Sequence, residues 1–295
     1  MDFSPTGLYV PLVTPFAADG SVAAGALEAL AHRVLDGGAA GVVALGTTAE
    51  PAALDPDERR LVLDVCARVC RERSATLIAG AGSNDTRSSL AALEELGKRP
   101  EVAAALVVVP YFTRPSEEGV LAHFTALADG SPVPLIVYNI PYRTGRTLGL
   151  DALRRLGAHP RVAGTKHAVG GVDEDTVRLL ADPPPGFAVL AGDDLFAAPL
   201  LALGAPGAIL ASAHLRTDRF AEMVAAWRTG DLGRARALGH RLAPLSATLF
   251  AEPNPAVVKA VLHAEGAIPT PMVRLPLLPA TPAATRAALR LSHPD

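Results

Sequence analysis

Arg161-Val-Ala-Gly-Thr-Lys-His-Ala-Val-Gly170 is the stretch on which the reading of the fold turns. It opens after Pro160, is apolar, and runs into Gly170-Gly171, the pattern of a short buried strand. Into that strand the chain puts Lys166, one of only three lysines beside Lys98 and Lys259; nearly every other basic position is Arg. Lysine is among the residues least often fully buried without a partner. At the end of an apolar strand its ammonium loses solvation, its pKa falls, and the free amine becomes a nucleophile. Such an amine condenses with a ketone, and the protonated imine is an electron sink for carbon–carbon chemistry. Taken alone, the stretch is read more simply as a lysine whose head snorkels to solvent, so the rest of the chain decides.

Outward from this strand the same unit recurs. Apolar strands are expected over 10–16, 41–46, 76–82, 104–110, 134–139, 187–192 and 207–212, with the Lys166 strand sixth in order. Helical patterns separate them, over 22–35, from Asp55 through Cys70, from Thr86, over 117–127, from Asp151, and over 173–180, 195–203 and 219–228. Asp55-Pro56-Asp57-Glu58 has a capping residue, a proline at the first helical position and an acid three residues on, a strong helix start. Continuously apolar strands suit a parallel sheet covered by helices, and eight strand–helix units close into a (β/α)8 TIM barrel. Residues 1–230 are assigned to the barrel carrying the active site and 231–295 to a C-terminal helical extension. Within the extension, helices over 232–242 and 256–263 precede a Pro-rich connector over 269–282 and a last helix.

Composition excludes several classes. Of 295 residues, 49% are hydrophobic and 19% charged, enough for one large core. A net charge of −3 gives no electrostatic case for nucleic acid or an anionic membrane. No apolar run reaches the length of a bilayer span, and Met1-Asp-Phe-Ser-Pro5 lacks the basic and apolar regions of a signal peptide. Cys66 and Cys70 fall on one helix face as buried thiols, and the eight histidines show no metal-ligand spacing. Gly80-Ala-Gly82 lacks the third glycine of a dinucleotide site and is read as a strand-end turn. The expectation is a cytoplasmic protein with small-molecule substrates, no nucleic-acid or membrane partner, no metal and no bound organic cofactor.

Barrel chemistry sits at the carboxyl ends of the strands. The polar residues there are Thr47 and Thr48 after strand two, Tyr138 and Asn139 on strand five with Arg143 just beyond, Lys166 on strand six, and Asp193 and Asp194 after strand seven. The amine would form the imine, the phenol move protons, the hydroxyls hold one carboxylate and the guanidinium clamp another. Each also has a structural reading: Tyr138 as a core aromatic, Thr47-Thr48 as a capping turn, Asp193-Asp194 as a helix cap. For the aspartates the cap is favoured.

These residues carry a resemblance. Gly46-Thr-Thr-Ala-Glu50, Tyr138-Asn-Ile-Pro-Tyr-Arg-Thr-Gly145, Gly164-Thr-Lys-His-Ala168 and Gly192-Asp-Asp194 resemble the dihydrodipicolinate synthase / N-acetylneuraminate lyase family, as do Pro110-Tyr-Phe-Thr-Arg-Pro-Ser-Glu-Glu-Gly119 and Asn254-Pro-Ala-Val-Val-Lys259. The match runs in order over nearly the whole chain. It implies a TIM barrel with a helical extension, class I aldolase (lyase) chemistry on pyruvate or another 2-keto acid, and a homotetramer or homodimer. By position, Lys166 resembles the Schiff-base lysine, Tyr138 the proton-shuttling phenol and Thr47 the hydroxyl relay. Thr48 resembles the pyruvate-carboxylate site, and Ile209 the position whose backbone contacts pyruvate. Arg143 is the feature of the synthase branch, which condenses pyruvate with aspartate semialdehyde in lysine biosynthesis. Three positions depart from the family pattern: Ala49 replaces a glycine, His167 a glutamate, and Phe112 the tyrosine that reaches into a neighbouring subunit's site. The resemblance therefore leaves two alternatives: an aldolase or dehydratase for a different 2-keto acid, and a non-catalytic carboxylate-binding homologue.

Overall fold

The computed structural model describes residues 3–292. Its strands are β1 (Gly7–Pro11), β2 (Gly41–Ala44), β3 (Thr76–Gly80), β4 (Val102–Val108), β5 (Leu135–Asn139), β6 (Val162–His167), β7 (Ala188–Ala191) and β8 (Gly207–Ile209). They are hydrogen-bonded in chain order into a closed barrel. Its helices are α1 (Ala24–Asp36), α2 (Pro56–Arg73), α3 (Thr86–Gly97), α4 (Glu117–Gly130), α5 (Pro141–Thr144), α6 (Leu150–Gly157), α7 (Glu174–Ala181), α8 (Ala197–Ala202), α9 (Thr217–Thr229), α10 (Leu232–Leu249), α11 (Ala256–Ala264) and α12 (Pro282–Ser292). This is the TIM barrel with C-terminal helices that the strand–helix alternation predicts.

The local causes are legible. β2, β5, β6 and β7 are buried at every position, as parallel strands covered on both faces must be. α2 starts on a complete capping box: Glu58 N donates to Asp55 at 2.8 Å and Asp55 N donates to the Glu58 carboxylate at 3.0 Å. α1 buries Leu27, Leu30, Ala31, Val34 and Leu35, a stripe at helical spacing. On β6, Gly164 is required by its neighbour, because a Cβ there would collide with the Ala188 carbonyl of β7.

The chain forms two compact units, one holding residues 78–209 and the chain up to Gly7, the other Leu8–Leu77 and the chain from Leu210 onward. The first packs around Leu106, Phe124, Leu135, Ile136 and Leu190; the second packs around Phe16, Val42, Val43, Cys66, Phe220 and Leu262. Residues 231–292 fall in the second unit. Cys66 and Cys70 are buried free thiols, and burial pushes both thiol pKa values up. No helix among the described residues is long and apolar enough to cross a membrane.

Three differences from the sequence expectation stand out beside shortened strand ends, such as β8 stopping at Ile209 rather than at residue 212. β1 lies at 7–11 rather than 10–16. Beyond Leu12 side chains replace the ladder: Val13 N donates to His214 Nε2 at 3.2 Å, and the Thr14 hydroxyl donates to the Ala49 carbonyl at 2.8 Å. α10 runs on to Leu249 although Pro244 lies inside it. The lost N–H costs one helical bond, and burial of Leu245 and Leu249 offsets it. The single-turn α5 has Pro141 at its first position and the left-handed Gly145 after it, too short to show as periodicity.

Candidate active site

β5 and β6 pair in register with Tyr138 opposite Lys166 and Asn139 opposite His167. Equal register on parallel strands sends Tyr138 and Lys166 to the same face. The Lys166 ammonium lies 4.3 Å from the centre of the Tyr138 ring. The lysine is only 6% exposed, so it is buried and does not snorkel. Desolvation lowers its pKa from the usual 10.5 to about 8; Asp194 and Tyr142 pull it back up, and Arg143 lowers it further. Gly192, after β7, makes room for the lysine stem, since a Cβ there would stand 2.5 Å from Lys166 Cγ.

The three lysines are now distinguishable. Lys98 is exposed and pairs with Glu95 at 2.5 Å. Lys259, on α11, is fully buried but donates to the Glu50 carboxylate at 2.7 Å. Its pKa is also lowered to about 8 by burial, against the pull of Glu50. A carboxylate at hydrogen-bond distance holds that amine as an ammonium. For Lys166 desolvation is the largest effect, ahead of the charge of Asp194. Of the three, it is the amine suited to attack a carbonyl.

The aspartates after β7 are more than a helix cap. Asp193 stands at the cap position of the turn Asp194–Phe196, and the backbone N–H groups of Gly170 and Leu195 act on its carboxylate. Asp194 is buried, and the field of both carboxylates acts on Lys166. Desolvation raises the Asp193 pKa from its ordinary value. In the sequence, Asp194 was marked by its place at a strand end and by the Gly192-Asp-Asp194 motif. Arg143 sits exposed on α5, its guanidinium 5.3 Å from the Tyr142 ring centre and its Nε donating to the Tyr142 hydroxyl at 3.1 Å. Ile209 ends β8, fully buried.

In the other unit, Thr47 and Thr48 open the turn Thr47–Ala49 that follows β2. Thr47 is exposed; Thr48 is buried, its hydroxyl accepting from Asn254 Nδ2 at 3.0 Å. The left-handed residue of this turn is Glu50, at φ 56°, and not Ala49. That explains why alanine serves where the family pattern has glycine: position 49 needs no positive φ.

The other two departures also find a place. His167 faces away from the lysine into α7: its Nε2 bonds Thr176 Oγ1 at 2.9 Å, and that hydroxyl donates to Asp173 at 2.6 Å. The threonine proton being committed, Nε2 carries the histidine's proton; burial lowers the ring's pKa to about 4 and keeps it neutral. Phe112 is 87% exposed at φ 68°, a left-handed conformation unusual for a bulky residue.

A family model described as the dihydrodipicolinate synthetase family matches residues 4–291. The chain belongs to the dihydrodipicolinate synthetase family. It is 39% identical over 289 residues to a 4-hydroxy-tetrahydrodipicolinate synthase of Acidiphilium cryptum, covering 96% of this chain and 97% of that protein. It is 38% identical over 289 residues to the enzyme of that name from Neisseria meningitidis serogroup C, covering 97% and 98%. A chloride-inhibited dihydrodipicolinate synthase from Acinetobacter baumannii, solved with pyruvate, superposes with a TM-score of 0.92 at 36% identity, covering 97% of this chain and 98% of that one. The chain is therefore an enzyme of the dihydrodipicolinate synthetase family, and the resemblance read from its motifs holds over residues 4–291.

Proposed function

We propose that this enzyme condenses pyruvate with aspartate semialdehyde through a Schiff base on Lys166, as a 4-hydroxy-tetrahydrodipicolinate synthase of the lysine pathway. The observation that carries the reading is the buried Lys166 amine, lowered to about 8 by desolvation and 4.3 Å from the Tyr138 ring, in a chain 38% identical to a synthase of that name. The neutral amine adds to the pyruvate carbonyl, and loss of water leaves a protonated imine. Tyr138, with Thr47 as relay, takes a methyl proton and turns the imine into an enamine. The enamine carbon attacks the aldehyde, forming the new carbon–carbon bond, and the aldehyde oxygen takes up a proton. The substrate's own amine then displaces Lys166, closing the ring and freeing the enzyme. Thr48 and the backbone at Ile209 hold the pyruvate, and Arg143 holds the carboxylate of the aldehyde.

One observation favours a second reading. Phe112 has no hydroxyl to complete a proton relay, so an aldolase or dehydratase acting on a different 2-keto acid or aldehyde is the alternative. Offering the purified protein pyruvate with a panel of aldehydes tests both. The primary reading requires turnover with aspartate semialdehyde above that with any uncharged aldehyde; a preference for an uncharged one selects the alternative. We further propose a cytoplasmic homodimer or homotetramer, because Phe112 and Tyr111 leave apolar surface exposed on the protomer.

A further inference from the structure

Asn254 stands just before α11, and its side-chain N–H reaches across 206 positions of sequence to the Thr48 hydroxyl. Both residues are buried, Thr48 4% and Asn254 7% exposed. A threonine hydroxyl has one proton to give and lone pairs to accept with. Once an amide N–H occupies a lone pair at 3.0 Å, the hydroxyl proton has to point elsewhere. We propose that Asn254 is a positioning residue for the 2-keto acid: its amide turns the Thr48 hydroxyl so that the proton is given to the substrate carboxylate. This rests on the reading of Thr48 as the carboxylate site.

Two further observations support it. The first is a second pin from the same part of the chain. Glu50, two residues after Thr48, holds a left-handed backbone that is strained for a residue with a side chain. Its carboxylate is taken by the extension at both oxygens, from Lys259 Nζ at 2.7 Å and from Arg274 N at 2.8 Å. Lys259 lies on α11 itself, and its ammonium and the Arg274 guanidinium stand 4.1 and 4.4 Å from the Phe16 ring centre. The turn carrying Thr48 is thus fastened at Thr48 and at Glu50 by side chains of one segment. The second observation is the other end of the amide. Asn254 Oδ1 is buried with no hydrogen-bond partner among the described residues. That orphaned oxygen offsets part of the stability that the Nδ2 bond to Thr48 contributes. Local frustration of this kind is expected where a side chain serves a site.

The test compares Asn254→Ala, Asn254→Asp, Thr48→Ala and the double variant Thr48→Ala/Asn254→Ala, each with its melting temperature and with kcat and KM measured for pyruvate. A net hydrogen bond of ordinary strength corresponds to roughly a threefold to tenfold change in an equilibrium constant. Asn254→Ala should therefore raise the pyruvate KM about threefold to tenfold and leave kcat within about twofold. Asn254→Asp keeps the shape but accepts where the amide donated, and it adds a negative charge beside the carboxylate, so its KM should rise further than that of Asn254→Ala. The double variant should match Thr48→Ala alone, because without the hydroxyl there is nothing left to turn. Additive effects, an aspartate milder than the alanine, or an Asn254→Ala variant with unchanged KM while Thr48→Ala raises it, would each overturn the proposal. An unchanged KM in Thr48→Ala removes the carboxylate reading of Thr48 and this inference with it, and is thereby distinguished from failure of the inference alone. Should Asn254→Ala not fold, the isosteric Asn254→Asp decides alone: a KM raised more than about tenfold at an unchanged melting temperature supports the role, and an unchanged KM refutes it.

Discussion

Replacing Lys166 by methionine should make the protein more stable at neutral pH while abolishing imine formation. The lysine is buried, and desolvation brings its pKa from 10.5 to about 8. At about 1.36 kcal/mol per pH unit, keeping that ammonium in the fold costs about 3 kcal/mol at pH 7. Methionine has a similar unbranched stem and no charge to desolvate. That cost is already net of the attraction of Asp194, and with imperfect packing of the methionine a gain of about 1–3 kcal/mol is expected. The sign with pH follows from proton binding. The folded-state pKa is the lower one, so between about 8 and 10.5 the unfolded chain binds more protons, and wild-type stability rises with pH across that window. The variant lacks this gain, so its advantage should be full below pH 8 and close as pH approaches 10.5. Lys259, lowered to about 8 as well, is common to both proteins and cancels in the difference. Urea unfolding of both proteins at pH 7, 8, 9 and 10 measures it. A variant less stable than wild type at pH 7, or an advantage that does not change with pH, would refute the reasoning.

Three further outcomes are expected. Arg143→Ala should raise the KM for an acidic aldehyde about tenfold to a hundredfold, the loss of roughly 1.5–3 kcal/mol from a charge-assisted pair, while borohydride-trapped pyruvate imine forms as in wild type; equal loss of imine would make Arg143 a pyruvate or structural residue. Phe112→Tyr adds a hydroxyl to an exposed ring, so stability should move by less than about 0.5 kcal/mol, and a rise in kcat for ring-forming condensation is expected if the relay is what the phenylalanine lacks; no rise favours the alternative substrate. The rate of imine formation should climb with pH to a plateau above about 8, where the amine is neutral, and a plateau reached only near 10.5 would mean that Lys166 is solvated.

What the sequence made legible follows from range. The eight strands could be read because each is a continuous apolar run between Gly or Pro breaks, a signal carried within ten residues. The α2 start could be read because Asp55 and Glu58 cap each other locally. Lys166 could be singled out because a lysine in an apolar run is incongruous wherever it occurs. The end of β1 could not be read, since it is set by His214, 201 residues away from Val13. Nor could the passage of α10 through Pro244, which burial of Leu245 and Leu249 decides against local propensity. The Glu50–Lys259 pair spans 209 positions and the Asn254–Thr48 bond 206. No periodicity or motif spacing links such residues; only the folded backbone brings them together. The charge of Asp194 on Lys166 belongs to the same class: Gly192-Asp-Asp194 was visible as a motif, but its effect on the amine was not.

The central claim, that Lys166 is the amine which captures the 2-keto acid, is tested most directly by reducing the protein with borohydride in the presence of pyruvate and locating the adduct by peptide mass spectrometry. A single pyruvate-derived adduct on Lys166, absent without pyruvate and absent from Lys166→Met, is the predicted result. An adduct on Lys98 or Lys259, or no adduct at all, would contradict it.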